Sequence, residues 1–551
     1  VGFLDALKRW KLAQQGLSSG KKRRVYSESV MLQALENSFW IRFSLYVAFA
    51  LISAVLVLKT APGSAFYDSP IQGALYALVV AITGIVRIHF SMGSSYRRNS
   101  RLVLVFAGLL IHLALVRMAI ELSLSGLIPE ASLYFVIPYA LAPMLHGILL
   151  KRAAGAFSVI YVTIVGCLFV PSSDTSTYII LSLVAGIVSV LVVHDVRKRI
   201  QLLRAGIYVG LLTILLSLML GQLNIGSIFG PNSMDHLQDL GRGALSAFSV
   251  ALFTALLISG LLPIFEGIFQ LTTDISWLEL SDLNHKLLRR MQLEAPGTFH
   301  HSLVVAALAE AAAEKIGANA PMCRVCSYFH DVGKLKKPGY FIENQHDGEE
   351  NPHNALTPTM SALIITAHVK DGIDLAMKHK LNPRIIDVIQ EHHGDSLVAY
   401  FYRRAQEQKK LELEKVDRKL ENPEDLPKVD EKNFRYPGPR PSTRESAIIA
   451  LADTIESASR SLSKPTPARI RGMIDELVRS RLHDGQLDDC PLTIKELALV
   501  KESFAGTLRS MLHSRIGYPK DEDRSSLGNA TKPNDRSSLD PDRVIMMPKR
   551  A

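Results

Sequence analysis

Histidines and aspartates recur in the second half of this 551-residue chain at positions that could hold metal ions. His300 and His301 open one helical stretch, and His330-Asp331 closes the next, just before Gly333. His368 precedes Gly372, His392-His393 precedes Gly394, and Asp453 sits inside a later apolar stretch. Imidazole and carboxylate together suit Fe, Mn, Zn or Co, with no need for thiolate. Three of these stretches are expected to stop at the glycine that follows the histidines. That would set the ligands at helix C-termini, where partial negative charge favours a cation. Neighbours on a helix point about 100° apart, so His300 and His301 cannot both face one ion. No Ser-His-Asp or Cys-His constellation stands beside this set. Cys323 and Cys326 form an isolated CxxC inside an apolar helical stretch and read as packing residues. Four cysteines in all make no disulfide framework and fit a reducing compartment.

The stretches that must position these groups are helical. Apolar residues fall at helical spacing over Gly297–Gly317, Pro321–Asp331, Met360–Lys370, Pro383–His393 and Arg444–Leu462, and strand-like alternation is scarce. An all-α domain is expected over 294–518, after a helical connector at 271–293. Within it, 403–432 is a dense run of mixed charge, read as a solvated helix or hairpin. The tail 519–551 is polar, repeats Asp-Arg-Ser-Ser-Leu, and is expected to be disordered.

The first half is different. Hydrophobic residues make up 48% of the chain, and they concentrate before residue 270. Eight continuously apolar segments run at about 41–59, 72–90, 102–120, 131–150, 154–171, 176–194, 202–222 and 244–268. Each has roughly the length a bilayer helix needs, and their unbroken apolarity excludes a barrel. The chain therefore reads as an all-α protein with a multi-span transmembrane bundle at 41–270 and the lipid bilayer as its partner. No cleavable signal is expected, because the first apolar segment begins only near Trp40 and is long enough to span.

Charge orients the bundle. Lys21 to Arg24 in the arm 1–40, Arg97, Arg98 and Arg101, Lys151 and Arg152, and Arg197 to Arg199 with Arg204 fall in alternate loops. The intervening loops are acidic, with Asp68, Glu121, Glu130, Asp174, Asp235 and Asp239. This alternation obeys the positive-inside rule and places both termini in the cytoplasm. The net charge of +10 is accounted for in the same way. No pattern of basic residues interleaved with aromatics points to nucleic acid. His112, Arg117, His146 and Glu266 lie in or near the spans, but no paired acidic residues sit mid-span as an ion-coupled transporter might show.

From Leu287 to Leu462 the sequence resembles the HD-domain phosphohydrolases, on His301, His330-Asp331 with Gly333-Lys334, and Asp453. His368, His392 and His393 resemble the additions of that superfamily's two-metal subgroup. The runs EAPGTFHHSLVVAALAEAAAEKIGAN (294–319), YFHDVGKLKKPGYFIENQ (328–345) and FRYPGPRPSTRESAIIALADTIESASRSL (434–462) are similar to the membrane-bound seven-transmembrane HD phosphodiesterases. That family hydrolyses cyclic di-AMP. It usually carries a large extracellular domain after the first span, where this chain has only Thr60 to Ile71.

The resemblance implies an all-α HD metallophosphohydrolase domain and two divalent ions, Mn or Fe. Asp331 would bridge them, with His301, His330 and Asp453 completing one site and His368, His392 and His393 the other. Lys334 would stabilise a phosphate oxygen. The implied reaction takes cyclic di-AMP to linear pApA. Cyclic di-GMP is the nearest competitor, but enzymes that cleave it carry a Gly-Tyr-Pro closely after His-His-Glu, whereas His392-His393 is followed by Gly394-Asp395. A receptor or transporter with a regulatory HD domain is the rival of a different class. A homodimer is admissible, though no heptad run argues for one.

Overall fold

The structure, a computed structural model, describes residues 30–58, 66, 69–91, 98–194, 196–223, 233–345, 348, 350–417, 429–462 and 465–513. Lys21 to Arg24, Arg97, the tail 519–551 and residues 418–428 of the charged run lie outside them. The described residues are almost wholly helical, with one isolated antiparallel bridge, Leu397 to Arg435.

The membrane half begins with α1 (Val30–Asn37) and α2 (Phe39–Leu58) and continues with α3 (Pro70–Ser91) and α4 (Asn99–Leu124). Next come α5 (Leu133–Val136), α6 (Leu141–Leu150), α7 (Arg152–Gly166), α8 (Thr175–Val192), α9 (Arg199–Met219) and α10 (Ser233–Phe269). Among the described residues, seven helices are long and apolar enough to cross a membrane when α5 and α6 are taken as one. The expected fifth segment differs: its helix, α7, stops at Gly166 after 15 residues. At about 1.5 Å per residue it is short for a lipid-facing span. Its residues from Ala154 to Gly166 are mostly buried within the bundle, however, so protein rather than lipid surrounds it. The break between α5 and α6 falls at Pro138, which has no N–H to give a continuing helix. Polar side chains inside the bundle pair with each other: Ser53 with Tyr161 at 3.0 Å, Thr163 with Ser182 at 2.8 Å, and His146 with Ser158 at 2.6 Å. Such pairing is what an interior without water demands.

Helix α10 has 37 residues. At about 1.5 Å rise it reaches roughly 55 Å, well beyond a hydrocarbon core of ~30 Å. Its polar end, with Asp235, Asp239 and Arg242, forms the excess.

The connector is two short helices, α11 (Asp274–Leu280) and α12 (Lys286–Glu294). Ile275 of α11 packs into the apolar core of the membrane bundle. Two residues later, Trp277 packs into the core of the helical domain that follows and is only 1% exposed. Arg199 at the start of α9 makes a two-pronged ion pair with Glu279, at 2.8 and 3.1 Å. The connector thus wedges between both cores.

The following domain contains α13 (Pro296–Lys315), α14 (Ala320–Phe329), α15 (Pro358–Lys378), α16 (Pro383–Glu391), α17 (Ala399–Asp417), α18 (Arg444–Ser459), α19 (Pro467–His483) and α20 (Ile494–His513). Side-chain caps fix several starts: Asn319, Thr357, Asn382, Thr443 and Thr466 each accept a first-turn N–H. Proline follows closely after four of them, where its missing N–H costs nothing. The charged run begins as α17, whose Phe401 and Ala405 pack with Ala362 and Phe434.

Replacing Trp277 with alanine removes the largest side chain the connector puts in the second core. A loss of about 3–5 kcal/mol is expected for the domain bearing α13 to α20. A lowered apparent Tm of the full chain in detergent checks it, and an unchanged Tm would show that the wedge carries no packing energy.

Candidate metal centre

Five segments meet at the centre. Along α13, Thr298, His301, Ser302, Val305, Leu308 and Ala312 lie on the buried face, so His301 points inward and His300 lies exposed. His330 caps the C-terminus of α14, and Asp331 leads into a short 3-10 turn. His392 and His393 follow α16, which is stopped by Gly394 at a φ of +55°. Asp453 is on the buried face of α18.

His368 corrects the sequence reading of its helix. That helix does not stop near Gly372; α15 runs on to Lys378. Gly372 serves close packing instead. A Cβ there would meet Ile389 Cγ2 at 2.8 Å and Gly333 N at 3.3 Å. Gly333 is tighter still, because a Cβ on it would lie 1.8 Å from the His368 carbonyl oxygen. These two glycines let the turn after Asp331 press against the backbone that carries His368.

The seven residues form two groups that share Asp331: His301, His330 and Asp453 on one side, His368, His392 and His393 on the other. The two oxygens of Asp331 face different ways. Oδ2 lies 3.5 Å from His301 Nε2 and 3.3 Å from His330 Nε2. Oδ1 lies 3.3 Å from His368 Nε2 and 3.7 Å from His392 Nε2. Asp453 is 3.0 Å from His301 Nε2 and 3.7 Å from His393 Nδ1.

The far sides of the rings are spoken for. His330 Nδ1 donates to Ser327 O at 2.7 Å, His368 Nδ1 to Ile365 O at 2.6 Å, and His392 Nδ1 to Ile389 O at 2.9 Å. His301 Nδ1 is held by Glu456, itself paired with Arg460. Such second partners orient each ring and turn its Nε2 inward. Yet His330 Nε2 and Asp331 Oδ1 are buried and make no hydrogen bond. Buried donors and acceptors are nearly always satisfied, so convergent imidazole and carboxylate with two orphaned atoms fit divalent cations.

Lys334 stands 2.8 Å from Asp331 Oδ2 and 2.7 Å from Glu343 Oε1, largely buried, with the Phe341 ring beneath its ammonium. Its charge is committed to two carboxylates. Glu343 in turn accepts from Thr298 Oγ1 at 3.0 Å, and Asn344 accepts from the Thr298 N–H at 3.1 Å. The turn after Asp331 is thereby stitched to the start of the His301 helix. Tyr436 stacks on His393, ring centres 4.2 Å apart. It is placed there by the pairing of 394–398 with 434–438, through Val398 N to Phe434 O and Tyr436 N to Ser396 O.

Glu456, Glu343 and Tyr436 were not among the residues singled out from the sequence. Glu456 had a readable signal, because it sits three residues after Asp453 and so shares its helix face. The other two come from loops and carry no local signal.

Charge within the cluster is uneven. Burial opposes a charge on His330, but Asp331 and Asp453 outweigh it and push its pKa up to about 10. His301 is raised against burial by Asp453 and Glu456. Burial, seconded by His392, overrides Asp331 and brings His368 down to about 4. Asp331 stays ionised despite burial because Lys334 and His330 hold it.

As protein groups alone, His330 therefore carries a proton at neutral pH, on the nitrogen a cation needs. Loading at pH 7 should displace it. Apparent affinity should rise with pH toward about 10 and fall as pH drops. Calorimetry in buffers of different ionisation enthalpy checks this, and loading without proton release at pH 7 would contradict it.

Residues 69–273 match the family described as 7TM receptor with intracellular HD hydrolase, and residues 298–458 match the HD domain. The cyclic-di-AMP phosphodiesterase PgpH of Listeria monocytogenes serotype 1/2a (strain 10403S) is 37% identical over 393 residues, which are 71% of this chain and 51% of that protein. PgpH of Bacillus subtilis (strain 168) is 34% identical over 463 residues, 82% of this chain and 60% of that protein. The chain thus spans about half to three fifths of the length of these relatives. The crystal structure of the L. monocytogenes PgpH HD domain aligns at 41% identity over 42% of this chain and all of that one, with a TM-score of 0.37. A multi-pass membrane bundle and a divalent-metal HD domain occur in one polypeptide, and the chain belongs to the family of seven-transmembrane proteins that carry an HD hydrolase domain.

Proposed function

We propose that this chain is a membrane-bound phosphodiesterase that hydrolyses cyclic di-AMP to linear pApA with two divalent ions, Mn or Fe. One observation carries the reading: a single buried carboxylate, Asp331, turns one oxygen to each of two histidine groups. Two ions sharing a ligand suit in-line displacement at phosphorus. The relatives named as cyclic-di-AMP phosphodiesterases supply the substrate class.

His301, His330 and Asp453 would hold one ion, and His368, His392 and His393 the other, with Asp331 common to both. Divalent cations held there supply Lewis acidity, neutralising phosphate charge and acidifying water. The protein's own part is to keep these donors aimed inward and to keep the site dry. Glu456 fixes the His301 ring, and the backbone carbonyls of Ser327, Ile365 and Ile389 fix three others. Lys334 holds Asp331 in its bridging orientation and lies close enough to the cluster to meet a phosphate oxygen.

We also place the HD domain and both termini in the cytoplasm. Arg98 and Arg101, Lys151 and Arg152, and Arg197 to Arg199 flank span ends on one side, with Asp174, Asp235 and Asp239 on the other. That alternation holds when α7 crosses with the rest.

Asp331→Ala should reduce cyclic di-AMP hydrolysis by the full chain to background and strip both ions while leaving the helical content intact. Product analysis, elemental analysis and circular dichroism read the three effects. Wild-type turnover in that variant would sink the shared-ligand assignment. A wild-type preference for cyclic di-GMP would sink the substrate.

A further inference from the structure

Five imidazoles meet at the centre. Four of them are steered by a hydrogen bond from the far ring nitrogen, to Glu456 or to a backbone carbonyl. His393 is the exception. Among the described residues its ring makes no hydrogen bond. Nδ1 lies 3.7 Å from Asp453, and the ring packs against His392 and Tyr436, with centres 4.1 and 4.2 Å away. Its side chain is also the most open of the five, at 17% exposed. Ring packing tolerates a wide range of offsets, so it holds a ligand less strictly than a directed bond. The position of His393 must therefore come from the backbone that bears it and from the Tyr436 ring.

One polar cluster grips both. Asp395, two residues after His393, accepts Arg440 Nε at 3.0 Å on Oδ1 and Arg440 Nη2 at 3.1 Å on Oδ2. Such a two-pronged pair fixes orientation as well as distance. Oδ1 also accepts Gln486 Nε2 at 2.7 Å. Gln486 is buried, accepts the Asp395 N–H at 3.3 Å and donates to Asp484 at 2.8 Å. Arg435 donates to the Asp395 carbonyl oxygen at 2.9 Å. Every polar group of Asp395, backbone and side chain, is thus engaged. Gln486 also fills the space that Gly394 leaves, since a Cβ there would lie 2.1 Å from its Oε1. Arg435 adjoins Tyr436, and Arg440 follows it by four residues. The cluster that holds the turn after His393 therefore holds the segment that carries Tyr436.

We propose that Asp395 is a positioning residue for the ion held by His368, His392 and His393: with Arg440 and Gln486 it locks the turn after His393 to the segment of Tyr436, and this lock stands in for the hydrogen bond that His393 lacks. The inference deepens the two-ion reading above and rests on it. Asp395 is not itself a ligand, because its carboxylate is spent on Arg440 and Gln486. Without the lock, the Tyr436 ring and His393 are free to shift together. The ion held by His301, His330 and Asp453 is spared, because Glu456 and the Ser327 carbonyl steer those rings directly.

The test uses the full chain in detergent, stripped by chelation and titrated with Mn by calorimetry. Tm, and kcat and KM for cyclic di-AMP, are measured over the same Mn range. Wild type should bind two ions, and His393→Ala identifies the step that belongs to its site. Asp395→Asn keeps the shape of the side chain but sets an amide N–H2 where an acceptor is needed. It should weaken that step roughly tenfold, the lower end of the effect seen for partners of metal ligands. The other step should stay unchanged, and kcat should fall at limiting Mn and recover in excess. Arg440→Gln, at the outer end of the lock, should do the same in smaller measure. Tyr436→Phe keeps the ring and should leave Mn affinity as in wild type, whereas Tyr436→Ala should weaken the same step as Asp395→Asn. Equal weakening of both steps by Asp395→Asn and Arg440→Gln, or a lowered Tm with neither step changed, makes Asp395 a brace of the fold and overturns the inference. Both steps and Tm as in wild type overturn it too. A single ion per wild-type chain overturns the two-ion reading and the inference with it, a result that no behaviour of the variants can mimic.

Discussion

A carboxylate with almost no access to water dominates the helical domain. Asp331 is 1% exposed and ionised, a state that burial alone would forbid. Its charge is tolerable only because Lys334 and a ring of imidazoles stand within 4 Å. Those groups arrive on four separate segments between His301 and His392, so the domain can be described as the scaffold that brings them to one aspartate. The braces follow the same logic. Glu343 holds Lys334 and Thr298, Glu456 holds His301, and Glu391 holds Ser442, so four of the five ligand-bearing segments are tied to another by a buried or half-buried carboxylate, and the helix of His368 is held by the Gly333–Gly372 contact instead.

The membrane half is joined to this scaffold rather than hung from it. Ile275 and Trp277 sit two residues apart in two different apolar cores. Asn382, the cap of the helix leading to His392 and His393, donates to Thr272 of the connector at 2.8 Å. Arg199 holds Glu279 from the other side. A displacement of the spans relative to the connector therefore meets packed atoms and directed bonds, which transmit strain better than a flexible linker would.

Much of this was legible in the sequence, and the reasons are physical. Apolar runs of bilayer length announce spans whatever their partners, because lipid imposes the length. His301 and Asp453 were singled out by the resemblance to the HD phosphohydrolases, and the adjacency of His330 and Asp331 survives any error in helix ends. Gly372 was misread as a helix stop because a glycine near a histidine looks the same in sequence whether it ends a helix or lets another backbone approach. Only the contact with Gly333 separates the two. The shortness of α7 was hidden because apolarity continues past Gly166 into turns. Tyr436 and Glu343 escaped because their positions depend on loop pairings across the fold, for which local spacing holds no signal.

That Gly333–Gly372 contact has an evolutionary consequence. At most crowded positions a bulkier residue can be accommodated when its neighbour shrinks. At Gly333 the neighbours are the His368 carbonyl and the backbone nitrogen of another glycine, Gly372. Neither can become smaller, so the usual route of paired compensation is closed. Gly333 is a dead end for drift: lineages that keep His368 facing Asp331 keep that glycine, and a lineage that loses it has no small step back to the same geometry, whereas Gly372 meets the Ile389 side chain first, which can shrink.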